Sequence, residues 1–100
     1  MNYKVATIAL FDKQAKRLAK KYPSLKSDLK VLFESLINIP KQGTALGNNF
    51  YKIRITITSK GKGKSGGARI VTYVKVTETT VYLASIYMIS LKKVQLLIKN

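Results

Sequence analysis

Residues 50–76, FYKIRITITSKGKGKSGGARIVTYVKV, decide the fold. Tyr51, Ile53, Ile55 and Ile57 fall on one side of a period-two pattern, and Lys52, Arg54, Thr56 and Thr58 fall on the other. That alternation predicts a half-buried strand with an apolar inner face and a cationic outer face. The stretch SKGKGKSGG follows, with four glycines and three lysines, and predicts a mobile basic hairpin loop. ARIVTYVKV then resumes the alternation, with Arg69, Val71, Tyr73 and Lys75 on one face and Ile70, Thr72, Val74 and Val76 on the other. Two strands joined by such a loop pair most simply as an antiparallel hairpin. If the register turns both polar faces the same way, Lys52, Arg54, Arg69, Tyr73 and Lys75 converge on one surface suited to phosphates.

On the N-terminal side, NYKVATIA (2–9) reads as a short strand. The period then changes. Phe11, Ala15, Leu18, Ala19 and Tyr22 form a helical stripe opposite Lys13, Lys16, Arg17, Lys20 and Lys21. Pro23 ends this helix and Ser24 is placed to cap the next. Leu25, Leu29, Leu32, Phe33, Leu36 and Ile37 repeat the spacing, so a second amphipathic helix runs to about Asn38, with Pro40 just beyond it. KQGTALGNN (41–49) reads as a loop and residues 77–79 as a tight turn. VYLASIYM (81–88), nearly all apolar, reads as a strand buried on both faces, central in the sheet or covered by the tail. SLKKVQLLIKN (90–100) reads as a short closing helix capped by Ser90, with an extra strand as the alternative. The expectation is a single α+β domain over 1–100, a two-helix hairpin packed on a mainly antiparallel four-stranded sheet in the order β-α-α-β-β-β with a C-terminal helix.

The totals agree. One hundred residues make one domain, able to bury roughly two-thirds of its unfolded surface. An apolar content of 46% supports a packed core. Neither cysteine nor histidine occurs, which removes disulfides, thiolate metal sites and the commonest acid–base group near neutral pH; no cofactor or metal is expected. No run has the length of a membrane span and the N-terminus lacks a signal-peptide pattern, so the expected location is the cytoplasm, away from membranes. Nineteen Lys and Arg against four acids give a formal charge of +15. The acids are Asp12, Asp28, Glu34 and Glu78, which leaves 35–77 without one. Such a field favours polyanions.

AKRLAKKYPSLKSDL (15–29), GTALGNNFYKIRI (43–55), SKGKGKSGGARIVTYV (59–74) and VYLASIY (81–87) resemble the RelE/ParE superfamily of bacterial type II toxins. The resemblance spans about residues 1–87, and the pairing of YKIR with KGKSGGAR is its most specific part. It implies the same β-α-α-β-β-β order and a cognate antitoxin that wraps and inactivates the toxin. For the RelE branch it implies an endoribonuclease that enters the ribosomal A site and cuts mRNA with a Lys/Arg cluster and a tyrosine. Lys52 and Arg54 match the basic pair of the second strand, and Arg69 the arginine that opens the third. The C-terminus departs from the pattern. Where that branch carries an acidic and basic sequence of the type Tyr-Asp-Lys-Ser-Glu, this chain reads Tyr87-Met88-Ile89-Ser90-Leu91-Lys92-Lys93. Ile89 stands at the lysine position, Met88 and Leu91 at the acidic ones, and Lys92 or Lys93 is left to substitute.

RNA cleavage without metal requires a base for the 2′-OH, charge stabilisation at phosphorus and a proton for the 5′-oxygen. Lys52 is the candidate base, because neighbouring cations disfavour its protonated form. Arg54 and Arg69 are candidates to clamp the phosphate bidentately. Tyr87 or Lys92 would serve the leaving group. Lys60, Lys62 and Lys64 in the loop, with Tyr73 and Lys75, are candidate RNA contacts, Tyr73 by stacking on a base. The bland alternatives are a solvated strand face for Lys52 and Arg54, a wet hairpin tip for the loop and a core role for Tyr87. Gly63-Lys64-Ser65 is not a phosphate-binding Walker loop: Thr58 stands where its first glycine belongs, and a strand rather than a helix follows. The expected partners are mRNA, ribosomal RNA and an antitoxin. Two rival functions remain, a ParE-type inhibitor of DNA gyrase on the same fold and a non-catalytic basic RNA-binding protein.

Overall fold

Proline and left-handed residues set most of the boundaries between the seven helices and strands of the described residues. In the computed structural model, which describes residues 2–61, 63 and 66–88, these are β1 (Lys4–Thr7), α1 (Ala9–Lys21), α2 (Leu25–Asn38), β2 (Thr44–Gly47), β3 (Phe50–Ile55), β4 (Ala68–Lys75) and β5 (Thr80–Met88). Pro23 separates the helices and Pro40 follows the second. Asn48 and Asn49 take φ of 52° and 66°, the pair of positive values that a two-residue hairpin turn with the right twist requires. Ser24 stands at the start of α2, but its hydroxyl does not cap the helix backbone; it bonds elsewhere, as described below.

The strands form one sheet in the order β1-β5-β4-β3-β2. β1 runs parallel to β5, and every other pair is antiparallel. This departs from the four strands expected. β2 was hidden because TALG is exposed along its whole length and so carries no alternation. It is positioned by Gly43, where an added Cβ would collide with the Lys52 carbonyl. The expected strand over 50–58 stops at Ile55; Ile57 still points into the core, and Thr58–Lys60 make a short 3-10 turn. The expected turn at 77–79 is a 3-10 turn over Val76–Glu78, closed by Thr79 at φ 51°. The C-terminal helix expected over 90–100 lies outside the described residues.

Both helices cover one face of the sheet. Phe11 from α1 and Leu25, Leu29, Leu32 and Leu36 from α2 meet Ile53, Ile55, Ile70, Val74, Val81, Leu83 and Ile86 in a single core. Each such side chain, fully buried, contributes about 1.5–3 kcal/mol. The other sheet face has no helix among the described elements.

β5 lies inside the sheet between β1 and β4, as expected of a central strand, but it is not buried on both faces; Tyr87 is 39% exposed. The strand also carries a bulge. Val71 pairs with Ser85 and the next residue, Thr72, pairs with Leu83, so Ala84 is the extra residue. The slip lets Leu83 and Ile86, three positions apart, both enter the core. It also brings Tyr82 and Tyr87, five apart, to the same outer face, opposite Tyr73 and Arg69 respectively. Beside the bulge, the Ile86 N–H donates to Gln14 Oε1 of α1 at 2.9 Å.

Candidate nucleic-acid interface

The β3–β4 register decides whether the cationic residues meet. Arg54 lies directly opposite Arg69, and Lys52 opposite Val71. Arg69 in turn lies opposite Tyr87 on β5. The register puts all five residues expected to converge, Lys52, Arg54, Arg69, Tyr73 and Lys75, on the sheet face opposite α1 and α2; there Arg54, Arg69 and Tyr87 form one row across three strands, with Lys52 two residues along from Arg54. Directly opposite side chains have Cβ atoms about 5 Å apart, so the row spans about 10 Å.

Within the row, exposure is uneven. Arg54 is exposed and Lys52 half-buried. Arg69 was expected on an open surface, but it is only 6% exposed. Its Nη1 approaches the Ala68 carbonyl at 3.4 Å, which accepts from it. Alternation identifies the face a residue occupies but not what shields it, so this burial could not be read from the strand pattern.

The candidate RNA contacts divide. Tyr73 stays on the face and packs against Phe50, ring centroids 4.9 Å apart and planes at 40°. Lys75 is not available as a lone cation: its Nζ sits 3.1 Å from Glu78 Oε2. Glu78 Oε1 also accepts from the Tyr82 hydroxyl at 2.7 Å. That hydroxyl bond, with Lys75 beside it, holds the Glu78 carboxyl below the usual range. The same contacts raise Lys75, through its bond to Glu78, and Tyr82, through its own bond to Glu78. Lys60 is drawn to the far end of the hairpin, its Nζ 5.8 Å from the ring centroid of Tyr22, a cation–π contact with the α1–α2 turn. Lys62, Lys64 and Lys92 lie outside the described residues.

Three features went unnoticed in the sequence. Phe50 shares the parity of Lys52 and Arg54, so extending the alternation by one residue would have found it. Tyr82 was concealed by the bulge. The third is a latch at the root of the basic loop. The Asp28 carboxylate accepts from the Thr58 N–H (3.0 Å), the Thr58 hydroxyl (2.6 Å) and the Ser24 hydroxyl (2.8 Å). Ser24 Oγ accepts from the Ser59 N–H at 2.8 Å. Partial burial works to raise Asp28, but the bonds from Thr58 and Ser24 outweigh it and leave the group below its ordinary value. A cleft of about 410 Å³ lies beside this latch, between α2 and β3, lined by Val31, Leu32, Gln42, Ile53 and Ile55 among others. Of the candidate site residues Arg54 borders it, so the cleft touches the cationic row at that one residue. Among the described residues no cluster of three or more metal-ligating side chains occurs, and no helix is long and apolar enough to cross a membrane.

Fold and face together define a small, strongly basic α+β domain whose sheet presents arginine, lysine and tyrosine opposite its helices. That architecture is the one seen in the toxin RelE. A free-state structure of an arginine double mutant of E. coli RelE matches with a TM-score of 0.68 and 19% identity, over 95% of this chain and 92% of that one. A chain of the intact E. coli RelBE toxin–antitoxin complex matches at 0.56 and 20% identity, over 88% and 98%. A chain of a RelBE toxin–antitoxin complex from Mycobacterium tuberculosis matches at 0.60 and 12% identity, over 89% and 93%. At these identities the likeness establishes a shared fold. No protein-family model and no curated protein matches the sequence.

Proposed function

We propose that the chain is the toxin of a type II toxin–antitoxin module and acts as a ribosome-dependent mRNA endoribonuclease. The observation that supports this most is the Arg54–Arg69–Tyr87 row with Lys52 beside it. The row presents guanidinium groups and a hydroxyl-bearing ring side by side, donors whose geometry matches phosphate oxygens. In this reading Lys52 takes the 2′-OH proton. The oxygen attacks the adjacent phosphorus, and the bond to the 5′-oxygen breaks. The products are a 2′,3′-cyclic phosphate and a 5′-hydroxyl. Arg54 binds the phosphate oxygens directly, while Arg69, shielded from solvent, adds a fixed positive charge next to it. Tyr87 protonates the departing oxygen, with Lys92 as the alternative donor. Lys62, Lys64 and Tyr73 hold flanking RNA. The partners are then mRNA and ribosomal RNA in the cytoplasm, and a cognate antitoxin, as in the toxin–antitoxin complexes that contain chains of this fold.

Induced expression in a bacterium, followed by primer extension on a reporter mRNA, tests the reading; cuts in phase with codons are expected. Lys52→Ala and Arg54→Ala should each lower cleavage by about 10²–10⁴-fold with a nearly unchanged Tm. Arg69→Ala should lower both cleavage and Tm, because Arg69 is buried. Absence of cuts, with loss of gyrase supercoiling activity in vitro, would replace this function with gyrase inhibition.

A further inference from the structure

Four residues along β3 from Arg54, a second row crosses the same face. Phe50 lies opposite Tyr73, and Tyr73 lies opposite Tyr82. This row is aromatic where the first is cationic. We infer that Phe50 and Tyr73 form a base-stacking subsite for single-stranded RNA, which seats a nucleotide about 13 Å along the strand from the phosphate held at Arg54. The inference rests on the proposed RNA substrate and adds a binding site to it.

Three observations carry it. First, the pair is accessible: Phe50 is 37% exposed on the face opposite the helices, although an apolar ring of this size normally lies inward. Second, the two rings meet at 40° instead of lying flat on each other, which leaves ring surface for a third planar group. Third, the surroundings suit a polyanion with planar bases. Lys52 sits between the two rows, and the Glu78 carboxylate is neutralised by Lys75 and occupied by the Tyr82 hydroxyl. That hydroxyl bond also fixes Tyr82 at the rim of the platform. Aromatic residues on adjacent strands of an open sheet face are the physical basis of base stacking in other RNA-binding domains. An acidic protein partner would use the lysines but gain little from an exposed aromatic pair.

The test uses the whole chain and a fluorescein-labelled 2′-O-methyl RNA oligonucleotide, which cannot be cut. Phe50→Leu and Tyr73→Leu keep apolar bulk and remove the ring. Each should weaken binding about 5- to 100-fold while leaving Tm and the salt dependence of binding as they were. Lys52→Ala, by contrast, should flatten the salt slope by about 0.7 log unit. A walk of single abasic residues along the oligonucleotide should find one position whose loss costs the wild type the same factor and costs Phe50→Leu nothing. Wild-type binding that both leucine variants match would overturn the subsite and leave the RNA reading intact. Failure of the wild type to bind the oligonucleotide at all would also overturn the subsite, while the primer-extension assay decides the cleavage reading separately.

Discussion

Asp28 is the residue whose role could not be seen from its neighbours in sequence. It is one of four acids in the chain, and helical spacing places it on α2 as an ordinary first-turn carboxylate. Two of its three donors come from 30 residues away, at Thr58, and the third from Ser24. Because Asp28 lies below its ordinary value of about 3.9, its ionised form stabilises the fold above that pH, and the contribution is lost as pH falls through the depressed folded value. Asp28→Asn should therefore lower stability at neutral pH by about 1 kcal/mol, a gap that closes below about pH 4 in acid-denaturation curves. Thr72 makes the opposite case. It is fully buried, and its hydroxyl has no hydrogen-bond partner among the described residues. Thr72→Val should raise stability by about 1 kcal/mol, measurable by denaturant titration.

At the scale of elements, the strands that face the core on one side only were legible, because alternation reports burial. Ile53, Ile55, Ile70 and Val74 are all inward as their spacing required. β2 was not legible, since an exposed strand leaves no such trace, and neither was the bulge in β5, which depends on what β4 presents. VYLASIYM carries no sign of where the slip falls; only the pairing of Thr72 with Leu83 after Val71 with Ser85 fixes it at Ala84. The same limit applies to the candidate site: Arg54 and Lys52 lay where period two put them, whereas the aromatic row needed the register of three strands. The hairpin base depends on a glycine. At Gly67 an added Cβ would run into the carbonyl of Ile55, backbone that cannot yield. Gly67→Ala should cost about 1–3 kcal/mol and lower cleavage as well, since it displaces the start of the strand that carries Arg69. Thermal melts beside the primer-extension assay would show both losses together.

For the molecule as a whole, charge opposes compaction. A formal +15 on 100 residues makes self-repulsion a standing cost of the folded state. Raising ionic strength from low values towards ~0.15 M should increase Tm through screening, and a short polyanion should increase it further by binding the folded chain. A Tm that falls with salt would mean that attractive pairs such as Lys75–Glu78 outweigh the repulsion.

The parallel pairing of β1 with β5 bears on how the chain comes into being. Lys4 aligns with Thr80, so the first strand waits for a partner made more than seventy residues later. A nascent chain emerging from its own ribosome holds an incomplete sheet, lacking the strand that carries Tyr82 and Tyr87. The face that joins Arg54, Arg69 and Tyr87 is thus among the last parts of the sheet to assemble.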